Sequence, residues 1–170
     1  FRTPLGDIEI DRQFAQKFLN IDSNIVFEPS VFQREHSIEV QLPFLQKTLK
    51  DFKIVPIMMG SCDLAMCSRL AALLKNAIGS RTDVLVIAST DMYHGYDFDE
   101  CDAVDELTLS YIQKMDHAGL YKGLRAGTLQ LCGGVPVVTT LILAKSLKHE
   151  KTVVLSQTNS AKVTGNKVKG

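Results

Sequence analysis

Apolar and polar positions divide the chain into short unbroken apolar runs and helix-spaced stripes. Val84 to Ala88 is unbroken and rich in β-branched residues, the pattern of a strand buried on both faces. Lys53-Ile-Val-Pro-Ile-Met-Met59 reads as a second buried strand, although Pro56 counts against a central position unless a bulge absorbs its missing N–H. Thr152 to Leu155 reads as a third. Between the first two, Leu70, Leu73, Leu74 and Ile78 form the apolar face of a helix over about 64–78. Strand, helix and strand at this spacing predict a right-handed βαβ unit, with 53–59 and 84–88 as near neighbours in one sheet. The expected fold is therefore α/β, a mostly parallel sheet flanked by helices on both faces.

Helical spacing recurs elsewhere. Asp11 is placed to cap a helix over 12–19, with Phe14, Phe18 and Leu19 as its stripe. Before it, 7–10 alternates with period two and predicts an edge strand or extended arm; 22–30 predicts a loop. In 34–50, Ile38, Leu42, Leu45 and Leu49 make one stripe, while His36, Val40 and Phe44 lie on nearly the opposite side. That double stripe predicts a helix buried on two sides, kinked or divided at Pro43. The acidic run Asp97, Asp99, Glu100, Asp102, Asp105 and Glu106 predicts a helix over 99–114, its charge complementing the macrodipole. Further helices are predicted over 116–126, with His117 on the surface, and over 136–147. The tail from Lys162 to Gly170 reads as solvated.

Length and composition narrow the classes. With 170 residues, 45% of them hydrophobic and 22% charged, the chain suits a single soluble domain over 1–170. A net charge of zero gives no footing for nucleic-acid binding or electrostatic membrane attachment. No apolar run reaches the roughly 20 residues of a membrane span. The four cysteines lack zinc-site spacing, and scattered thiols suit a reducing compartment, so a cytoplasmic location is expected. Oligomeric state is not legible. The chain opens on Phe1-Arg-Thr3 without Met and stops on Lys169-Gly170, which reads as part of a longer protein.

Three places carry candidate chemistry. Ser89-Thr-Asp-Met-Tyr-His94 follows the run 84–88, where open α/β sheets bind ligands beyond the carboxyl ends of strands. Asp91 and His94 fall there as a carboxylate and an imidazole able to bind a metal or exchange a proton; equally, Asp91 caps the next segment and His94 bonds a loop. Cys132 sits in Cys132-Gly-Gly134 before the helix over 136–147, where free N–H groups and the dipole favour a thiolate. The alternative is a glycine turn with Cys132 filling a gap. Glu35 and His36 lie either on a core helix or at the edge of a polar pocket.

Taken together and in this order, Glu35-His-Ser-Ile-Glu-Val-Gln-Leu-Pro-Phe-Leu45, Val55-Pro-Ile57, Ser89-Thr-Asp-Met-Tyr-His94, Cys132-Gly-Gly-Val-Pro136 and Thr158-Asn-Ser-Ala-Lys-Val-Thr-Gly165 resemble the Memo family over nearly the whole chain. That resemblance implies a fold like the LigB-type extradiol dioxygenases and makes this chain the C-terminal two-thirds of a Memo-like protein. It implies a cleft in which Asp91, His94 and Cys132 are the functional residues, with Ser89, Glu35 and His36 beside them. Metal ligation would fall to His94, Cys132, Asp91 and His36. Two further family histidines would precede Phe1, so copper or iron is expected in the longer protein and no tightly held metal in this chain. A cysteine in place of a carboxylate ligand argues against ring cleavage. Implied functions are a metal-dependent redox role or, alternatively, a signalling adaptor that binds phosphotyrosine-type peptides in the same cleft, with no nucleic-acid or membrane partner.

Overall fold

A computed structural model of the chain describes residues 1–19, 21–95, 97–149 and 151–165. About half of the chain is helical. It opens with a small antiparallel hairpin of β1 (Arg2–Thr3) and β2 (Gly6–Asp7), registered Arg2 to Asp7 and Thr3 to Gly6. Gly6 closes the turn at φ +121°, a backbone that side chains rarely tolerate. The arm beyond it makes one parallel bridge, Ile10 to Ile54, through Asp11 N–H to the Ile54 carbonyl (2.9 Å) and Ile54 N–H to the Glu9 carbonyl (3.0 Å). The predicted extended arm is thus present.

Helix α1 (Arg12–Leu19) starts where expected, with Phe14 N–H donating to the Asp11 carboxylate at 2.8 Å. Phe14 and Phe18 bury edge to face, 6.1 Å apart. Helix α3 (Leu64–Ile78) is capped by Asp63, α4 (Phe98–Gln113) by Asp97, and α5 (His117–Ala126) by Asp116; each carboxylate accepts the N–H three residues on. α6 (Gly134–Ser146) is apolar nearly all round, and Val137, Val138, Leu141 and Leu143 are buried. A helix of that kind belongs inside. It packs against both α3 and α5 and so joins two core clusters: Phe14, Phe18, Leu70, Leu74 and Leu143 in one, Cys67, Leu120, Leu129, Val138 and Leu141 in the other. The short α7 (Ser160–Thr164) closes the described chain, capped by Asn159; the basic tail from 166 on lies outside the described residues.

Two expectations need correction. The helix predicted over 34–50 is reduced to a 3₁₀ turn, Glu39–Gln41, followed by α2 (Leu42–Thr48), with Pro43 in its first turn. Upstream, the Glu35 carboxylate accepts the Ser37 and Ile38 N–H groups and the Ser37 hydroxyl, taking donors a helix would need. His36, Val40 and Phe44 are exposed rather than buried on a second side.

The mostly parallel sheet is also absent among the described residues, where the hairpin and the Ile10–Ile54 bridge are the strand pairings. Segments 55–59, 84–88 and 152–155 form neither helix nor ladder. Val55, Ile57, Met59 and Val84 pack on the first cluster, so the apolar runs do reach the core. Coverage is partial: Leu85 remains 69% exposed, and the run 152–155, which packs in neither cluster, leaves Leu155 94% exposed. An apolar run specifies burial, but a ladder needs a neighbouring backbone about 4.8 Å away. No helix among the described residues is long and apolar enough to cross a membrane.

Candidate functional site

Local structure at the end of the extended run 84–88 brings two distant segments together. Thr90 stands against the start of α6: its hydroxyl accepts the Gly133 N–H at 2.8 Å, and Cys132 Sγ lies 3.6 Å away. Asp91 N–H donates to Cys132 Sγ at 3.0 Å, while Cys132 N–H returns a bond to the Asp91 carbonyl at 3.1 Å. Gly133 is required here, because a Cβ would strike the Ser89 carbonyl. The glycine therefore permits the approach that puts the thiol on the Asp91 amide. Next along, His94 N–H donates to Gln130 at 3.2 Å, and its Nδ1 lies 3.1 Å from the Met92 carbonyl. A carbonyl only accepts, so the ring proton sits on Nδ1. Nε2 lies 3.5 Å from Asp91 Oδ2, an approach that is attractive only when Nε2 carries a proton as well and too exposed to be worth much energy.

Of the four cysteines, Cys132 is the exposed one. Cys67 and Cys101 are buried, and burial pushes both thiols up. Cys132 and His94 share the wall of a cavity of about 570 Å³ with Met59, Cys62, Met92, Tyr121 and Arg125. Below the loop, Tyr93 donates its hydroxyl to Glu100 Oε2 at 2.6 Å; that carboxylate first, and burial second, holds the phenol up at about 12.

Asp91, His94 and Cys132 are thus brought together across a sequence gap of about forty residues. His36 is exposed and joins none of them by a hydrogen bond among the described residues. The Glu35 carboxylate is occupied with its own turn, away from the cavity wall. Ser89 stands at the cleft's edge, where Gln41 Nε2 donates to its hydroxyl at 3.1 Å and ties the 39–41 turn to the site. Among the described residues no three of His, Cys, Asp and Glu surround one metal-sized position.

A family model described as Memo-like protein matches residues 1–169. The chain belongs to the Memo family. It is 36% identical to a MEMO1 family protein of Methanobrevibacter smithii over 165 residues, covering 96% of this chain and 58% of that one. Against the Sulfolobus acidocaldarius relative the identity is 35% over 170 residues, 98% of this chain and 59% of the other. The Saccharolobus solfataricus relative is 37% identical over 171 residues, with 98% and 60% covered. This Memo chain therefore spans about three-fifths of the length of the curated relatives it matches.

Several site residues escaped the sequence reading. Arg125 and Gln130 come from the end of α5 and the loop after it, where nothing local marks them. Asp105 belonged to the acidic run read as helix-start charge; it is instead buried in mid-helix, accepting the Tyr93 N–H at 3.0 Å. Its signal was available in the spacing of Cys101, Asp105 and Thr108, a helix face that proves buried. His117, expected on the surface, is half-buried, and its Nδ1 is a buried atom without a hydrogen-bond partner among the described residues.

Proposed function

We propose that this Memo-family chain contributes the thiolate-and-imidazole part of a redox centre. The observation that carries the reading is the exposed Cys132 thiol resting on the Asp91 amide in a cavity that His94 also lines. The thiolate is the nucleophile and the metal-binding form of such a side chain. The proton on Nδ1 leaves His94 Nε2 as the ring's lone-pair donor, oriented by the bond to Met92.

The donors fit copper or iron in kind and not in number. Thiolate, imidazole and the thioethers of Met59 and Met92 on one cavity wall suit a soft ion such as Cu(I). Tight transition-metal sites take three or four protein ligands in fixed geometry, and among the described residues no three of His, Cys, Asp and Glu surround one position. Copper or iron would supply one-electron chemistry when bound, and the residues described here do not close a site around it.

Anaerobic titration with Cu(I) and Fe(II) against a competing chelator tests the reading. The chain is expected to take up Cu(I) weakly and to lose that uptake in Cys132→Ser. Equal uptake by both proteins would remove Cys132 from the site. No uptake by either would favour a second reading, recognition of a phosphotyrosine-type peptide, for which Arg125 on the same wall supplies a guanidinium.

A further inference from the structure

The loop that carries Asp91 and His94 is held from two sides. Segment 130–133 holds its ends, through Cys132 to Asp91 and Gln130 to His94. The middle is held by α4, twice through one residue. Tyr93 gives its N–H to Asp105 Oδ1 at 3.0 Å and its hydroxyl to Glu100 Oε2 at 2.6 Å. Asp105 is only 5% exposed, and no Lys or Arg pairs with it among the described residues. Its second oxygen accepts from the Cys101 thiol at 3.8 Å, and Asn159 in turn donates to Cys101 Sγ at 3.7 Å. A buried carboxylate is costly unless its hydrogen bonds are made, and here the bond it makes best is to the Tyr93 amide N–H. Helix packing alone would be served as well by an apolar side chain at 105.

We propose that Asp105 and Glu100 are positioning residues, which fix Tyr93 so that the Asp91 amide and the His94 ring are presented to Cys132. The proposal rests on reading Asp91, His94 and Cys132 as the site. Neither α4 residue touches the thiol. Each acts through Tyr93, one on its backbone and the other on its hydroxyl.

The test uses the metal-free chain and two readouts: the rate at which iodoacetamide alkylates Cys132, followed by mass spectrometry, and the ring resonances of His94. In Asp105→Ala the loop loses its buried anchor, and alkylation is expected to slow by about tenfold, as for a lost hydrogen bond to a charged acceptor. His94 resonances should shift with it. Asp105→Asn keeps an oxygen acceptor and is expected to stay near the wild-type rate. A purely structural role would lower the denaturation midpoint and leave both readouts of the folded protein unchanged. Wild-type or faster alkylation in Asp105→Ala overturns the proposal, as does an equal loss in Asp105→Asn. Should Asp105→Ala fail to fold, Tyr93→Phe decides, since it removes only the hydroxyl bond to Glu100; unchanged rate and resonances there overturn it too. Because no metal is added, failure of metal uptake and failure of positioning are separate results.

Discussion

At the scale of single residues, the site depends on one position that lacks a side chain. Gly133 lets the start of α6 approach the Ser89 carbonyl and the Thr90 side chain, and a methyl group there meets backbone that cannot rotate away. Gly133→Ala must therefore push the helix start off the loop, stretching the Gly133 N–H to Thr90 bond and the contacts of Cys132 with Asp91. Overpacking of this kind costs about 1–3 kcal/mol, so the urea midpoint is expected to fall accordingly. Alkylation of Cys132 should slow in the same variant, since its amide donor is displaced. An unchanged midpoint together with an unchanged rate would mean the loop yields freely, and the close approach would then have no role in the site.

Among elements, the joints that matter are those between helices and the loops that precede them. Asp22 in the loop after α1 accepts the Asn24 N–H and side-chain amide and pairs with Arg69 of α3 at 3.0 Å. Those bonds, the Asn24 backbone N–H first, hold its carboxyl below the usual aspartate range. A carboxyl lowered on folding stabilises the native state above its unfolded value, and that contribution disappears as pH falls through the folded one. Thermal unfolding of Asp22→Asn should therefore differ most from wild type near neutrality, the gap closing from about pH 5 downward. A gap independent of pH would assign the effect to shape rather than charge. The helices themselves were legible because their information is local: the cap Asp11, the stripe Leu70, Leu73, Leu74 and Ile78, and the acidic run from Asp97 place α1, α3 and α4 within a residue or two. α2 was misjudged because Glu35 competes for backbone donors, a local effect that the periodicity of Ile38, Leu42 and Leu45 conceals. The proximity of Asp91, His94 and Cys132 was legible from their motifs; the bonds of Asp105 and Gln130 to the loop and the place of Arg125 on the cavity wall were not, since only tertiary packing sets them.

For the whole molecule, the strands are where sequence and structure part, and the reason bears on how the chain behaves in solution. Runs 84–88 and 152–155 have the composition of buried strands, yet their backbones are unpaired among the described residues and Leu85, Ile87, Val153 and Leu155 are exposed. Strand pairing is a long-range property, and the relatives matched here are longer than this chain by a wide margin. Covering a Leu side chain fully is worth about 1.5–3 kcal/mol, and unpaired extended backbone is a ready template for another chain. The chain is therefore expected to self-associate, its sedimentation-average mass rising with concentration. Leu85→Lys combined with Leu155→Lys places charge on both bare segments without touching either core cluster, so helical circular dichroism should be retained while the mass stays at the 18.8 kDa monomer. A wild-type chain that is monomeric at every concentration would show that these segments are covered in solution by the chain's own residues, and the bare face would not be a property of the folded molecule.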